Sequence, residues 1–246
     1  PGIIILAVDT AIFAIFNSMG TTLPAFIYTN LAPVFNATDS LGFAAIATLL
    51  VQFFWFFGVH DAALSGVLGP IRDGGLSVNA AAQAAGEALP NIFTTPFWVY
   101  FVVIGGCGSV LALAILLIRS KSKQLRTIGR VGIVPALFNI SEPIIFGVPL
   151  MMNPMFFIPF LLTSTVNAII AYVCMMTGLV AKTFALLSWN MPSIFGAYLS
   201  TFDWKAVVLV VALIAIDALL YYPFYKAYEK QLVAQEEADE TSAETA

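Results

Sequence analysis

Charge is what this sequence has least of. Only 10% of its 246 residues are Asp, Glu, Lys or Arg, while 60% are hydrophobic and the mean hydropathy is +0.94. No soluble core absorbs that much apolar surface, so composition alone excludes an ordinary soluble domain. Histidine occurs once, at His60, which leaves no second histidine for Ser-His-Asp chemistry. The sequence contains no G-x-x-x-x-G-K-S/T, no G-x-G-x-x-G and no zinc spacing, so it predicts no bound nucleotide, no cofactor and no metal. Basic patches interleaved with aromatics are absent too, which argues against nucleic acid. The two cysteines, Cys107 and Cys174, sit in apolar runs without metal-spaced partners and read as small buried residues rather than a disulfide framework.

What is present is a series of apolar runs, and these predict an all-α integral membrane protein: a polytopic helical transporter with two re-entrant hairpins. Residues 3–16 are a short run containing Asp9, a partial span or interfacial segment. No positive region precedes it, so a longer chain is expected upstream of Pro1. Residues 17–40 read as an irregular connection along the membrane surface, rich in Gly, Pro and aromatics. Ser40 to Val59 is an uncharged span, residues 62–96 a polar-leaning aqueous loop with an Ala-rich turn of helix, too weakly apolar to cross, and Phe97 to Ile118 a clean span. Arg119, Lys121, Lys123, Arg126 and Arg130 follow at once, half of the chain's 10 Lys and Arg, and mark a cytoplasmic side. Met155 to Ala181 then crosses outward, Lys182 to Trp204 stays outside or dips back, and Ala206 to Tyr225 returns. This organisation predicts a transport domain over 1–225 and an acidic, cytoplasmic, disordered tail over 226–246.

Between Val131 and Leu150 the only charge is Glu142, inside Asn139-Ile140-Ser141-Glu142-Pro143-Ile144-Ile145-Phe146-Gly147. A carboxylate at bilayer depth costs roughly 2.5 to more than 10 kcal/mol, so it is a site candidate by default. Pro135, Pro143 and Pro149 break the helical ladder repeatedly, as a re-entrant hairpin would. A second interrupted stretch, Ser188-Trp189-Asn190-Met191-Pro192-Ser193-Ile194-Phe195-Gly196, echoes the first. Paired Pro-interrupted segments of this kind point to a transporter's substrate site.

The candidate site residues are therefore Trp55, His60, Asn139, Glu142, Trp189 and Asn190. Carbohydrate suits them: a sugar offers an apolar C–H face to indole rings and a rim of hydroxyls to amides, a carboxylate and an imidazole. Taken singly, His60 and Asp61 also fit a plain helix end, and each tryptophan fits an interfacial belt. Asp9 and Asp217, alone in apolar runs, read as helix-packing hydrogen-bond partners.

Asn139-Ile140-Ser141-Glu142-Pro143 with Ile144-Ile145-Phe146-Gly147, together with Trp55-Phe56-Phe57-Gly58-Val59-His60 upstream, resembles the enzyme IIC membrane component of the bacterial sugar phosphotransferase system. The lactose/cellobiose/chitobiose group is the most similar, and the resemblance covers the C-terminal half or slightly more of a family member. It implies a multi-pass permease of the bacterial cell membrane, in contact with membrane lipid and dimeric in full-length form. Such a permease takes a disaccharide from outside and hands it to a cytoplasmic phosphorylated IIB protein. His60 and Glu142 would act at the hydroxyl to be phosphorylated, and Trp55 and Trp189 would line the sugar. Asp61 departs from the glycine expected after that histidine. Two other readings remain: an ion-gradient-coupled sugar transporter, in which an intramembrane Glu and a His form a proton-coupling pair, and a non-catalytic membrane sugar sensor or scaffold.

Overall fold

The computed structural model describes residues 2–21 and 39–244, with side chains over 10–21 and 39–241. Asp9 as a candidate partner, and most of the connection over 17–40, therefore lie outside the described part. Helices carry the described chain: α1 (Gly2–Ser18), α2 (Leu41–Phe56), α3 (Ala62–Ala85), a short α4 (Thr95–Phe97), α5 (Leu111–Ile118), α6 (Lys123–Leu137), α7 (Glu142–Gly147), α8 (Pro154–Met176), α9 (Ser193–Thr201) and α10 (Trp204–Glu244). Among the described residues, α8 and α10 are long and apolar enough to cross a membrane. The bent pair 95–118 adds a third crossing if taken as one span.

The core is a bundle in which α8 packs on α2 and on α10, and α10 also packs on α5 and α9. Its centre is aromatic and aliphatic, with Tyr100, Phe97, Phe101, Phe156 and Phe160 fully buried. Small hydroxylated residues let the helices approach and an amide ties them: Thr163, Ser164 and Asn167 of α8 are all buried. Asp217 of α10 is buried at this seam. Its Oδ2 accepts from Ser109 Oγ at 2.5 Å and from Asn167 Nδ2 at 2.9 Å, the packing role expected of it.

Three expectations from sequence give way. The expected clean span from Phe97 to Ile118 is broken: α4 runs into a π-helical turn (Trp98–Val102), the chain leaves the helical region, and α5 departs at 53° to the first part. Left-handed backbone at Gly105, Gly106, Gly108 and Ser109 produces the break. An apolar count cannot detect it, because glycine barely changes hydropathy while freeing φ. The expected loop over 62–96 is mostly helix α3, which tolerates Pro70 and buries only Leu76 and Asn79. Its Ala-rich stretch has helix propensity without the apolar stripe that a pattern reading looks for.

The tail expected to be disordered continues α10 as helix to Glu244. Three of its acids have partners that the sequence did not reveal. Glu229 Oε1 accepts from Ser120 Oγ and the Lys121 N–H, each at 2.7 Å. Glu236 Oε1 accepts from Ser122 Oγ at 2.6 Å and the Gln124 N–H at 3.0 Å. Glu240 pairs with Lys123. Carboxylates at the start of α6 satisfy its free N–H groups and complement its dipole.

Candidate functional site

Three backbone breaks meet at one place: the 103–110 break before α5, the turn between α6 and α7, and the non-helical run that leads into α9. Asn139 joins them. Its φ is +61, so the chain turns there and directs the amide back at its neighbours. Its Oδ1 accepts from the Gly105 N–H at 3.0 Å and from Ser193 Oγ at 2.9 Å. Its Nδ2 donates to the carbonyls of Trp189 at 3.0 Å and Met191 at 2.9 Å. Two donor hydrogens and two acceptor lone pairs are the whole capacity of an amide, so Asn139 is fully spent within the protein.

Glycine is required where the breaks touch. Gly106 has φ +96, and a Cβ there would lie 2.6 Å from that of Ser141. The two Pro-x-Ile-Phe-Gly-like runs also behave alike. Pro143 lies in the first turn of α7, Pro192 directly precedes α9, and Phe146 and Phe195 are exposed at 62% and 64%. Proline suits a helix start because its missing N–H has no partner there anyway.

The breaks wall a cavity of about 480 Å³. Trp55, His60, Asn139, Glu142 and Trp189 all line it, so five of the six sequence candidates converge. Asn190 does not reach it: it lies on an exposed turn, where its Oδ1 accepts from Ser188 Oγ at 2.6 Å. The sequence reading missed Asp61 as a wall residue, and also Arg72, Trp98, Cys107 and Ser141. Arg72 was hidden because residues 62–96 read as an aqueous loop. Trp98 and Cys107 were hidden because their segment read as an unbroken span.

Trp55 is 3% exposed, and its ring lies 4.8 Å from that of His60. The tryptophan Nε1–H is buried without a protein acceptor, although buried indole N–H groups usually find one. His60 Nδ1 lies 3.1 Å from the Ala62 N–H and 3.0 Å from Asp61 Oδ1. Those contacts are alternatives: an unprotonated Nδ1 accepts from Ala62, whereas a protonated one donates to Asp61. Either way Nδ1 is occupied within the protein, and Nε2 is the nitrogen left for a ligand. When Nδ1 carries a proton, Asp61 is the carboxylate that orients the imidazole. Glu142, at the first position of α7, enters no ion pair among the described residues.

A cavity of this size, with indole rings, an unpaired carboxylate and an imidazole in its lining and set among broken helices, is a candidate small-molecule site in an all-helical membrane protein. The family model "Phosphotransferase system, EIIC" matches residues 2–164. The chain belongs to that family, and its membership of the lactose/cellobiose/chitobiose group is borne out by its relatives.

The chain is similar to the "Lichenan permease IIC component" of Bacillus subtilis (strain 168), 41% identical over 201 residues, covering 80% of this chain and 44% of the relative. It is similar to the "PTS system cellobiose-specific EIIC component" of Geobacillus stearothermophilus, 40% identical over 204 residues, covering 80% and 45%. With the "PTS system lactose-specific EIICB component" of Streptococcus mutans it shares 34% over 247 residues, covering 98% and 43%. Among solved structures it resembles the transporter ChbC, the IIC component from the N,N'-diacetylchitobiose-specific phosphotransferase system. That match has a TM-score of 0.82 and 34% identity, and covers 96% of this chain and 56% of the other. The chain spans about half the length of the curated relatives it matches.

Proposed function

We propose that this chain forms the sugar-binding half of a phosphotransferase permease that takes up a disaccharide of the cellobiose, lactose or chitobiose kind for phosphorylation by a cytoplasmic IIB protein. The observation that carries the reading is the convergence of Trp55, His60, Glu142 and Trp189 on one cavity of about 480 Å³. That volume falls within the range of roughly 300–1,000 Å³ typical of small-molecule sites. Trp189, 60% exposed, offers a face for the C–H surface of the sugar, and Trp55 lines the cavity with a buried N–H that lacks a protein acceptor and that a sugar hydroxyl would satisfy. Asn139 acts as the clamp that holds the wall together rather than as a sugar ligand.

In the transfer step the acceptor hydroxyl oxygen forms its bond to phosphorus as the bond from phosphorus to the IIB donor atom breaks. The electron pair of that bond leaves with the donor atom. Glu142 takes the hydroxyl proton, and His60 positions the hydroxyl through Nε2. The side carrying Arg119 to Arg130 and the α10 extension faces the cytoplasm, and the full-length carrier works as a homodimer in lipid.

The test is uptake of labelled disaccharide into vesicles containing the full-length carrier, with an uncoupler present and free and phosphorylated sugar scored separately. The reading expects sugar phosphate that forms only with phosphorylated IIB inside and is indifferent to the uncoupler. Concentrative uptake of unmodified sugar, lost when the gradient collapses, would replace it with a gradient-coupled carrier.

A further inference from the structure

A neutral disaccharide needs no cation, yet the cavity contains one. Arg72 of α3 lines the same cavity as His60, Asp61 and Glu142. Its guanidinium carbon lies 4.9 Å from the centroid of the Trp98 ring, so the planar group is laid against an aromatic face. Its Nε is buried with no hydrogen-bond partner. The two carboxylates nearest in sequence are committed elsewhere: Asp73 accepts from the Thr95 hydroxyl, and Asp61 lies 3.0 Å from His60 Nδ1. The ion pairs among the described residues are His60–Asp61, Lys123–Glu240 and Lys226–Glu229, and Arg72 is in none of them. A guanidinium laid on an aromatic face, with no described carboxylate at ion-pair distance, keeps its terminal donors for a bidentate anion.

We propose that Arg72 receives the phosphoryl group on the sugar, its N–H donors meeting the non-bridging oxygens as the group arrives from IIB and holding them on the product until release. The inference rests on the phosphotransfer reading of the cavity. Charge balance supports it. Asp61 and Glu142 already place two carboxylates in the wall, and a phosphoryl group carrying roughly −1.5 to −2 charge would be repelled without a cation to offset them. His60 cannot fill that role while its Nδ1 is held by Ala62 or Asp61 and its Nε2 serves the hydroxyl. Stacking on Trp98 fixes the guanidinium plane, which an ammonium on a flexible stem would not reproduce.

The experiment uses the full-length carrier and its Arg72→Gln and Arg72→Lys variants. Affinities are measured for the free disaccharide and for the same disaccharide already phosphorylated, and the rate of sugar phosphate formation with phosphorylated IIB is measured alongside. Arg72→Gln should weaken binding of the phosphorylated sugar at least tenfold more than binding of the free sugar, and slow product formation a hundredfold or more. Arg72→Lys, which keeps the charge and loses the planar fork, should fall between. Equal losses for the two ligands, or no loss for the phosphorylated one, would overturn the proposal.

Inorganic phosphate serves as a competitor. If it displaces sugar as effectively as the phosphorylated sugar does, the site is a free-anion site and the proposal falls. A wild-type readout covers variants that fail to fold: modification of Arg72 by phenylglyoxal, followed by peptide mass, should be slowed more by the phosphorylated sugar than by free sugar at equal occupancy. Equal protection would count against it. If the wild type makes no sugar phosphate with IIB, the underlying reading fails. If the wild type makes it and Arg72→Gln makes it as fast, only the role of Arg72 fails.

Discussion

The corner between α5 and α6 and the cavity both hold carboxylates, and they treat them in opposite ways. At the corner between α5 and α6, Glu229 accepts from Ser120, Lys121, Tyr225 and Lys226. Glu236 likewise takes the Ser122 hydroxyl and the Lys123 and Gln124 N–H groups. In the cavity, Glu142 and Arg72 enter no ion pair among the described residues, and Asp61 is shared only with His60. Saturated charge is what a fold uses to hold its parts. Charge left unpaired inside a protein costs stability and persists where a ligand completes it. The same distinction applies to amides: Asn139, which the sequence placed among the sugar ligands, spends its whole hydrogen-bonding capacity within the protein.

Breaking the clamp should have the largest effect on stability. Asn139→Ala removes four hydrogen bonds that tie Gly105, Trp189, Met191 and Ser193 together. At about 1 kcal/mol net for each, and more for any group left buried and unpaired, the loss is roughly 4 kcal/mol. A change of that size should lower the melting temperature in detergent by about 10 °C and take sugar binding with it. Sugar binding lost without a fall in melting temperature would instead make Asn139 a direct ligand.

Glu229→Gln should cost less, about 1–3 kcal/mol, and should leave sugar affinity unchanged because the site lies at the other end of α6. Glu229 also gives the corner a pH signature. It lies one turn beyond Tyr225, where the apolar run of α10 ends. Burial raises its pKa, but the Lys226, Tyr225, Ser120 and Lys121 hydrogen bonds outweigh this and hold it down at about 2, against 4.5 for an ordinary glutamate. A depressed folded-state pKa means the stabilisation is complete above about 4.5 and is lost as pH falls from there towards 2. Acid unfolding of the wild type followed by circular dichroism should show this loss, and Glu229→Gln should flatten it. An unchanged acid profile would remove Glu229 from the account.

Trp189→Ala is expected to be milder still. The ring is 60% exposed at the cavity edge, so its loss should spare the fold. Sugar binding measured by calorimetry should weaken by about 1–2 kcal/mol, since aromatic stacking adds roughly 0.5–1.5 kcal/mol beyond the area it buries. Unchanged affinity would return Trp189 to an interfacial belt.

The sequence made the class of the protein and most of the site legible, because a lone carboxylate between prolines in an apolar run has few explanations. Glu142 was readable for that reason, and Trp55, His60 and Trp189 through their company with it. What it hid depended on partners far along the chain. The acidic tail read as solvated because Ser120, Ser122 and the α6 N–H groups lie more than 100 residues away in sequence. The break after Val102 was masked by the apolar count of its segment, and with it Trp98 and Cys107. Arg72 was lost because a polar, Ala-rich helix looks like a loop to any test that requires an apolar stripe.

The central claim is that the unpaired carboxylate in the cavity takes the proton of the hydroxyl to be phosphorylated. Glu142→Gln in the full-length carrier tests it, with sugar affinity and sugar phosphate formation from phosphorylated IIB measured on the same preparation. Gln keeps the size and hydrogen-bonding reach of Glu but cannot take the hydroxyl proton. The account predicts affinity within about tenfold of wild type and a rate lower by roughly 10²–10⁴, the usual contribution of a positioned general base. Sugar phosphate formed at a near-native rate would contradict it.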